Sequence, residues 1–489
     1  MTTATLYVLV FFAGLFLILL VYWLKLMVSS RKHKQRSFAE NSYLIVYASQ
    51  SGQTEAYAQQ TAQQLQQMHI SVTCCDIAQI TLQDLFSAKK ILWMVSTYGE
   101  GDAPDSAQSF SQWFFKLNDD LSHLSFAILG FGDRAYSQFC GFAVRLQQYC
   151  IRLNAQPYFD LVQVDRNSLE DLGQWQLHLS KVIGQNVNIH HQMKEWHEVQ
   201  LKNRVLLNPG SQGTGLYHLK LHAPQSLTWQ SGDIVEIQCI NTVQELEHFQ
   251  TLYPQLNSGQ LLQLRDKNLR KIPDLNICDN LDEWIAQFET LALREYSIAS
   301  IPSQGQIELI VRQEVNENGL GLGSGLLTES LTLDSSLPIH IRSHSAFHLV
   351  QENVPMIFIG NGSGLAGLWG HLQQRLAWNQ HENWLIYGER QEEYDAIFST
   401  QIQQWKESGH LTELDLVYSR DQKALKYVQD VLIARQSELQ TWIERGAVIY
   451  VCGSLQGMAK GVDEALQQVI GEVSYQTLKN QKRYLRDVY

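Results

Sequence analysis

The stretch YLIVYASQSGQT, residues 43–54, decides how the first half of this chain folds. Its first five residues form an apolar run, as expected of a parallel strand that is buried on both faces. The run ends in a loop rich in hydroxyl groups, and Ala58, Ala62 and Leu65 follow at helical spacing. The loop therefore joins the carboxyl end of a strand to the start of a helix, where backbone N–H groups and the helix dipole favour a phosphate.

Two further strands end in loops of a related kind. The run ILWMV, residues 91–95, leads into STYGEGD, residues 96–102, and FAIL, residues 126–129, leads into GFGDRAY, residues 130–136. Ligands of open α/β sheets bind outside the carboxyl ends of the strands. The first loop offers phosphate donors, and the other two each offer a glycine-rich turn with a tyrosine, which suits a planar ring. Three unrelated surface loops are the competing interpretation.

The middle of the chain carries a different pattern. Apolar and polar residues alternate over 217–222 and 307–312, which predicts antiparallel strands closed into a barrel. A mostly helical insert is expected over about residues 240–288. The stretch REYSIAS, residues 294–300, offers an arginine for a pyrophosphate, a tyrosine for a flavin ring face and hydroxyls for its edge, although an ordinary strand also fits. The glycine-rich run 319–325 could present N–H groups to a pyrophosphate.

The last third returns to alternating strands and helices. The strand MIFI, residues 356–359, precedes the loop GNGSG, residues 360–364, and then a helix. Two later strands end in SRDQ, residues 419–422, and in the pair Cys452-Gly453. A serine and an arginine at one strand end suit a 2′-phosphate and therefore favour NADPH over NADH. The other side chains of this predicted pocket are Lys423, Lys426, Tyr427 and Gln429.

Composition and the N-terminal segment narrow the class of protein. The 489 residues are 45% hydrophobic and carry a net charge of −12, which argues against nucleic acid as a partner. The seven cysteines are scattered without metal-ligand spacing, which predicts free thiols in a reducing compartment and no metal site. From Leu6 to Val28 the only charged residue is Lys25, and a basic run follows at 31–36. That pattern predicts a single transmembrane helix with the rest of the chain facing the cytoplasm, a buried core helix being the alternative.

The loops of the first half resemble those of the flavodoxin-like, FMN-binding domain of the diflavin reductases. The family's phosphate loop matches residues 49–54, its Thr-Tyr-Gly-Glu-Gly-Asp loop matches 97–102, and its third loop matches 130–139. By this resemblance Tyr98 and Tyr136 flank the FMN ring. The residues that the resemblance places at FMN are Ser49, Gln50, Ser51, Gly52, Gln53, Thr54, Ser96, Thr97, Tyr98, Gly99, Gly101, Leu129, Gly130, Gly132, Tyr136, Phe139 and Asp165.

The second half resembles the FAD and NADPH domains of the same family. The family's Arg-x-Tyr-Ser motif matches residues 294–297, its Gly-x-x-Ser/Thr-x-x-Leu motif matches 321–327, and its Tyr-Val-Cys-Gly motif matches 450–453. The resemblance implies FAD contacts from Arg294, Tyr296, Ser297, Gly321, Gly323, Ser324 and Tyr489, and NADPH contacts from Gly362, Ser363, Ser419, Arg420, Lys426, Tyr427 and Gln429. The chain departs from the family at Leu425, where a lysine is usual, at Gly367, where proline is usual, and at Ser454, where aspartate is common.

Four residues carry the catalysis that the resemblance implies. Ser297 reaches the flavin edge near N5, Cys452 lies beside the nicotinamide C4, Asp487 bonds to Cys452, and Tyr489 covers the FAD ring. Without the resemblance, Cys452 fits an ordinary buried thiol and Tyr489 a frayed terminus.

The resemblance implies an NADPH-dependent oxidoreductase that passes electrons from NADPH to FAD, then to FMN, and then to a hemoprotein or another metal-centre acceptor. The expected α/β and β-barrel architecture has a transmembrane anchor (6–28), a flavodoxin-like FMN domain (42–185), an antiparallel β-barrel FAD domain (195–350) and a Rossmann-like, ferredoxin-reductase-like NADPH domain (351–489). A sulfite reductase flavoprotein component, which the closing Arg-Asp-Val-Tyr resembles, is an alternative. A ferric-siderophore or quinone reductase and a non-catalytic redox sensor are others.

Overall fold

The computed structural model describes residues 41–50, 52–134, 136–189, 194–317, 319–421 and 424–489. These divide into two compact units: one holds residues 41–48 and 54–189, and the other holds residues 194–489 together with the described residues of the loop 49–53. The predicted transmembrane helix at residues 6–28 lies outside the described part of the chain. Within the described part, no helix combines the length and the apolar character that a membrane span requires.

The first unit is a parallel α/β sheet. Its strands are β1 (Tyr43–Ala48), β2 (Val72–Asp76), β3 (Lys90–Ser96), β4 (Ser125–Gly132), β5 (Gln156–Pro157) and β6 (Val162–Asp165). They are ordered β2-β1-β3-β4, and both β5 and β6 pair with β4. Because the strand order reverses between β1 and β3, the loops at their carboxyl ends border the crevice where such sheets bind ligands. This topology confirms the predicted flavodoxin-like fold.

Helices cover both faces of this sheet. They are α1 (Gln53–Gln67), α2 (Leu82–Ser87), α3 (Gln108–Phe114), α4 (Gly141–Arg152) and α5 (Leu169–Ile183). The predicted apolar stripe of α1 is buried, as Ala58, Ala62 and Leu65 all face the sheet core. Two apolar clusters, one containing Trp93 and the other Trp175, share the alternating residues of β1. Burial of both indoles removes a large apolar area from water and fixes the helices on the sheet.

The second unit begins with an antiparallel sheet. Its strands are β7 (His197–Leu206), β8 (Leu216–His222), β9 (Ile234–Ile237), β10 (Arg294–Ser297), β11 (Gln306–Arg312) and, after the hairpin of β12 (Val315–Asn316) and β13 (Gly319–Leu320), β14 (Ser336–Arg342). The order is β10-β9-β14-β7-β8-β11. The alternating pattern over 217–222 and 307–312 predicted β8 and β11, and Leu219, Leu221, Ile307, Leu309 and Val311 all lie in the core of this sheet.

The prediction of a closed barrel is wrong for this sheet. Strands β10 and β11 lie at its two ends, and no ladder joins them in the described residues. Beyond the end of β10, the Ala299 N–H donates to the Glu308 carbonyl at 2.8 Å, and the Ser300 hydroxyl donates to the Gln306 carbonyl at 2.9 Å. Because β10 is only four residues long, the chain leaves the sheet before a ladder with β11 can form.

A helical insert separates β9 from β10, as the sequence predicts. Its helices are α6 (Val243–Leu252), α7 (Ser258–Gln263) and α8 (Leu281–Ala286), and a further short helix, α9 (Leu322–Gly325), follows β13. Capping boxes at Thr242 and Asn257 begin α6 and α7. Phe249, Trp284 and Phe288 pack into a small core that belongs to the insert alone.

The second unit ends in another parallel sheet. Its strands are β15 (Met356–Asn361), β16 (Asn383–Glu389), β17 (Glu413–Tyr418), β18 (Val448–Gly453) and β19 (Tyr484–Val488). Its helices are α10 (Leu365–Ala377), α11 (Glu392–Asp395), α12 (Ser399–Glu407), α13 (Val428–Ala434), α14 (Gln436–Glu444) and α15 (Lys460–Asn480). The order β17-β16-β15-β18-β19 places the loops after β15 and β18 side by side, at the switch point. The predicted nucleotide-binding domain is therefore confirmed.

Candidate active site

Two loops of the first unit hold each other at the carboxyl ends of β3 and β4. The backbone groups of Tyr98 and Asp102 exchange two hydrogen bonds of 2.9 Å, which close the loop between them. The Glu100 carboxylate accepts hydrogen bonds from the Ser137 N–H at 3.2 Å and from its hydroxyl at 2.7 Å. The second and third predicted FMN loops are therefore fixed relative to one another.

Gly101 keeps the second loop close to the third. Its φ is +99°, and a Cβ at this position would lie 2.7 Å from Gln138 Oε1. Gly99 also has a positive φ of 50°, and Arg145 donates a hydrogen bond to the Gly101 carbonyl at 2.8 Å. The loop thus presents backbone where bulkier residues would not fit, which suits a flat ring lying against it.

The loop after β1 turns back on itself before α1 begins. The Ser49 hydroxyl oxygen accepts a hydrogen bond from the Gly52 N–H at 2.9 Å, while the predicted FMN ligand Ser51 lies outside the described residues. The Ser49 hydroxyl, which the sequence assigns to the FMN phosphate, is thereby held at the strand end by a local bond.

Asp165 and Tyr136 take different positions at this edge of the sheet. The Asp165 carboxylate accepts the Arg134 N–H at 3.0 Å and lies 3.7 Å from the guanidinium Nε, so it stabilises the third loop. The Tyr136 side chain is 47% exposed and leaves a ring face open at the surface.

In the second unit, the predicted FAD motif packs directly against the glycine-rich run. A Cβ at Gly323 would lie 2.4 Å from Arg294 Cγ and 2.9 Å from the Tyr296 hydroxyl oxygen. The Ser324 hydroxyl oxygen accepts the Glu314 N–H at 3.0 Å and fixes the start of α9. The stem of an arginine side chain against glycine backbone brings a cation and free N–H groups to one region, which suits a pyrophosphate.

Three of the four predicted catalytic side chains meet at one carboxylate oxygen. The Ser297 hydroxyl donates to Asp487 Oδ2 at 2.6 Å, and the Cys452 thiol points to the same oxygen at 3.7 Å. Cys452 and Asp487 are register partners in the parallel pairing of β18 with β19, whereas Ser297 comes from β10. Burial, and then the Asp487 charge, raise the pKa of the Cys452 thiol well above its ordinary value. The thiol therefore stays protonated and acts as a donor, not a nucleophile.

The space beside this group is kept by Gly367. A Cβ there would lie 3.2 Å from Cys452 Sγ and 3.7 Å from Ser297 Cβ. The departure from the family's proline therefore leaves α10 close against both predicted catalytic side chains.

Tyr489 is held at both its backbone and its side chain. Its N–H donates to the Gly453 carbonyl at 3.1 Å, and its hydroxyl is 3.0 Å from Ser363 Oγ. The side chain is nevertheless 61% exposed, so a ring face is available to a ligand.

A cavity of about 690 Å³ opens beside Tyr489. The predicted NADPH residues that line it are Gly362, Ser363, Ser419, Lys426, Tyr427 and Gln429. Arg420 is exposed and is not among the lining residues, and Lys423 lies outside the described part of the chain. The volume falls within the range of ligand sites, and the mostly polar and charged lining suits the phosphates and hydroxyls of a nucleotide.

Sequence reasoning missed two residues in the cavity wall. Arg312 ends β11 and Glu389 ends β16, and their side chains form an ion pair with 2.8 Å between Nη2 and Oε1. The Tyr387 hydroxyl donates to the same carboxylate at 3.2 Å. Burial raises the pKa of Glu389, and Arg312 opposes that shift. The one signal in the sequence was the position of each residue at a strand end.

The fold and the site together define a flavoprotein oxidoreductase that uses a pyridine nucleotide. A family model described as Flavodoxin matches residues 45–175, and one described as Oxidoreductase NAD-binding domain matches residues 358–464. Together the two matches support the diflavin reductase family that the sequence predicts.

Curated relatives are similar over nearly the whole chain. The sulfite reductase [NADPH] flavoprotein alpha-component of Vibrio vulnificus (strain CMCP6) is 25% identical over 536 aligned positions, which cover 91% of this chain and 87% of that protein. The protein of the same name from Vibrio cholerae serotype O1 (strain ATCC 39315 / El Tor Inaba N16961) is 26% identical, with 93% and 88% covered. That of Bacillus subtilis (strain 168) is 24% identical, with 91% and 89% covered. The predicted cofactors FMN, FAD and NADPH are consistent with these relatives and are confirmed.

Proposed function

We propose that this diflavin reductase takes electrons from NADPH and delivers them to a hemoprotein. NADPH supplies a hydride, and the two flavins convert it into single electrons for the acceptor. The observation that carries the proposal is the convergence of Ser297, Cys452 and Asp487 next to the cavity that holds the predicted NADPH residues.

In this proposal each of the four side chains has a separate task. Asp487 accepts hydrogen bonds from the Ser297 hydroxyl and the Cys452 thiol, so both side chains would be fixed in place before a ligand arrives. Tyr489 covers the flavin ring and moves aside for nicotinamide. That movement breaks its contact with Ser363, while the backbone bond to Gly453 anchors the residue.

Flavin content and nucleotide preference test the proposal. We expect one FMN and one FAD per purified chain, and reduction of both by NADPH much faster than by NADH. Ferricyanide, which accepts electrons from either flavin, and cytochrome c, which requires FMN, should both be reduced. A single flavin type, or equal bleaching by NADH, contradicts the proposal, and flavin binding without turnover points to the redox sensor.

The identity of the hemoprotein has a second candidate. The relatives are named sulfite reductase flavoprotein components, and the closing residues Arg486, Asp487, Val488 and Tyr489 resemble that group. Mixing the purified protein with a sulfite reductase hemoprotein and, separately, with a cytochrome distinguishes the two. Sulfite-dependent NADPH oxidation supports the sulfite reductase role, whereas faster cytochrome reduction supports a cytochrome acceptor. Turnover with a ferric siderophore or a quinone alone contradicts both.

We also infer that residues 6–28 anchor the chain in a membrane with its catalytic domains in the cytoplasm. The apolar run with Lys25 as its only charge, and the basic run 31–36 after it, support this orientation. The full chain should sediment with membranes and resist carbonate extraction, whereas a chain that begins at residue 41 should not. Release of the full chain by carbonate contradicts the anchor.

A further inference from the structure

The ion pair in the wall of the nucleotide cavity joins the antiparallel sheet of the second unit to its parallel sheet, and hydrogen bonds hold it on both sides. Arg312 Nη2 lies 2.8 Å from Glu389 Oε1, and Nη1 donates to the Thr214 carbonyl at 3.3 Å. Glu389 also accepts the Tyr387 hydroxyl and the Arg390 N–H, each at 3.2 Å. Two hydrogen bonds, to the carboxylate at the end of β16 and to the loop before β8, therefore give the guanidinium one position.

That position faces the glycine loop that precedes α10. Gly362 has a φ of +56°, and a Cβ there would lie 3.2 Å from Arg312 Nη2. The Tyr387 hydroxyl donates to the Gly362 carbonyl at 2.8 Å and ties the loop to the ion pair. α10 runs for 13 residues, and its first N–H groups together with a neighbouring guanidinium suit the pyrophosphate of a dinucleotide.

We propose that Glu389 is a positioning residue that sets how tightly this enzyme holds the pyrophosphate of NADP(H); the inference rests on the proposed function. In the ligand-free site the carboxylate is the counter-ion of Arg312 and aims its guanidinium at Gly362. With the dinucleotide bound, the carboxylate and the pyrophosphate compete for one cation. The carboxylate thereby weakens retention of the product NADP⁺ and favours its release, a step that limits turnover in many enzymes.

The charge of the cavity wall supports this role. Its charged lining residues are Arg312, Arg390, Lys426, Glu314 and Glu389. The Glu389 side chain is only 2% exposed, so its charge is poorly screened by water and acts strongly on a neighbouring anion. A glutamine has nearly the same shape, and its amide oxygen can replace Oε1, which accepts from Arg312. The variant therefore keeps that bond and loses only the one from the Arg390 N–H to Oε2.

The test compares inhibition by NADP⁺ with inhibition by adenosine 2′-monophosphate, which carries the 2′-phosphate and lacks the pyrophosphate. In Glu389→Gln we expect the inhibition constant of NADP⁺ to fall by about threefold to tenfold, because one nearby negative charge is removed. KM for NADPH should fall with it, kcat should fall where product release limits turnover, and the constant for adenosine 2′-monophosphate should stay within about twofold. Glu393→Gln, which removes an exposed carboxylate of α11, is the matched control and should change none of these.

A second variant tests the pairing with Arg312. Arg312→Gln should raise the inhibition constant of NADP⁺ by about tenfold or more and leave the inhibition constant of adenosine 2′-monophosphate unchanged. In the Arg312→Gln background, Glu389→Gln should change the NADP⁺ constant by a smaller factor than in the wild type, because the buried carboxyl there has no cation left to compete for and burial favours its neutral form. Equal factors in both backgrounds, or an unchanged NADP⁺ constant in Glu389→Gln, overturn the inference. If the wild type binds neither ligand, the proposed function fails instead.

Discussion

The two units of this protein build their predicted flavin sites in opposite ways. In the first unit the site is made of backbone: the loop from Tyr98 to Asp102 closes on itself, Glu100 ties it to the next loop, and Tyr136 is 47% exposed. In the second unit the site is made of side chains from three strands, and the thiol at its centre, Cys452, is fully buried.

The difference follows from the two kinds of electron transfer. A hydride passes between two rings that must be held in contact and away from water, so side chains from distant strands have to be fixed precisely enough to align them. An electron that leaves for a partner protein needs a flavin whose edge reaches the surface. Loops of backbone at a sheet edge satisfy that need, and a fully enclosed pocket does not.

Gly323→Ala should have the largest effect and break the second site alone. The new Cβ lies 2.4 Å from Arg294 Cγ, so the arginine must leave its place and FAD binding is lost. We expect NADPH-dependent reduction of every acceptor to fall by about a hundredfold or more. Flavin analysis of the purified variant should find FMN at its normal level and little FAD. Loss of both flavins would mean that the two sites are not independent.

Gly101→Ala should break the first site and leave the second intact. A φ of +99° and the side chain of Gln138 both oppose an alanine, and the backbone strain alone costs ~1–2 kcal/mol. FMN affinity and cytochrome c reduction should fall by about tenfold, whereas ferricyanide reduction through FAD continues. Gly173→Ala adds the same methyl group to α5, where nothing lies within 4 Å, and should behave as the wild type.

Ser297→Ala should slow hydride transfer without loss of either flavin. Asp487 loses its 2.6 Å donor, and the flavin edge loses a hydroxyl. Stopped-flow measurement of FAD reduction by NADPH should show a decrease of about tenfold to a hundredfold. Ser303→Ala, at an exposed position a few residues on, is the control. An unchanged rate would reduce Ser297 to a structural partner of Asp487.

The smallest of the expected effects is a loss of stability of the second unit in acid, caused by His371. Burial lowers the pKa of this histidine from 6.5 to about 3. The unfolded chain takes up a proton below pH 6.5 and the folded chain does not, so this stabilisation is present above 6.5 and is lost as the pH falls toward 3. At pH 5 the loss is about 2 kcal/mol.

This loss can be measured by thermal unfolding at pH 7 and pH 5, with the release of FAD as the signal. His371→Gln removes the titration and keeps a partner for Ser231, so its unfolding free energy should change less with pH than that of the wild type. An equal pH dependence in both proteins would assign the acid sensitivity to other groups.

Local pattern was enough to predict most of the fold. The apolar runs over 43–47, 91–95 and 356–359 all form buried parallel strands, because a strand covered on both faces requires continuous apolar residues. The glycine-rich loops were also predicted from the sequence, because positive φ angles and close approaches of the backbone require glycine at fixed positions. The barrel was predicted wrongly because alternation reports a half-buried strand and not whether the last strand meets the first.

The sequence predicted only part of the candidate site. Ser297, Cys452 and Asp487 were assigned through motifs, and their shared oxygen is a fact of the fold, since 190 residues separate the serine from the aspartate. The ion pair of Arg312 with Glu389, 77 residues apart, was missed because each residue alone is an ordinary polar group at a strand end.

The sequence by itself determined the strands, the turns and the two parallel sheets with their nucleotide-type loops, because these depend on residues close together in the chain. Tertiary structure alone decided that the sheet stays open between β10 and β11. It also decided which side chains meet, namely Ser297 and Cys452 at Asp487, and the Arg312 guanidinium at Gly362. The physical reason is that such contacts depend on how sheets twist and pack, and a pattern of neighbouring residues does not encode where two distant strands end.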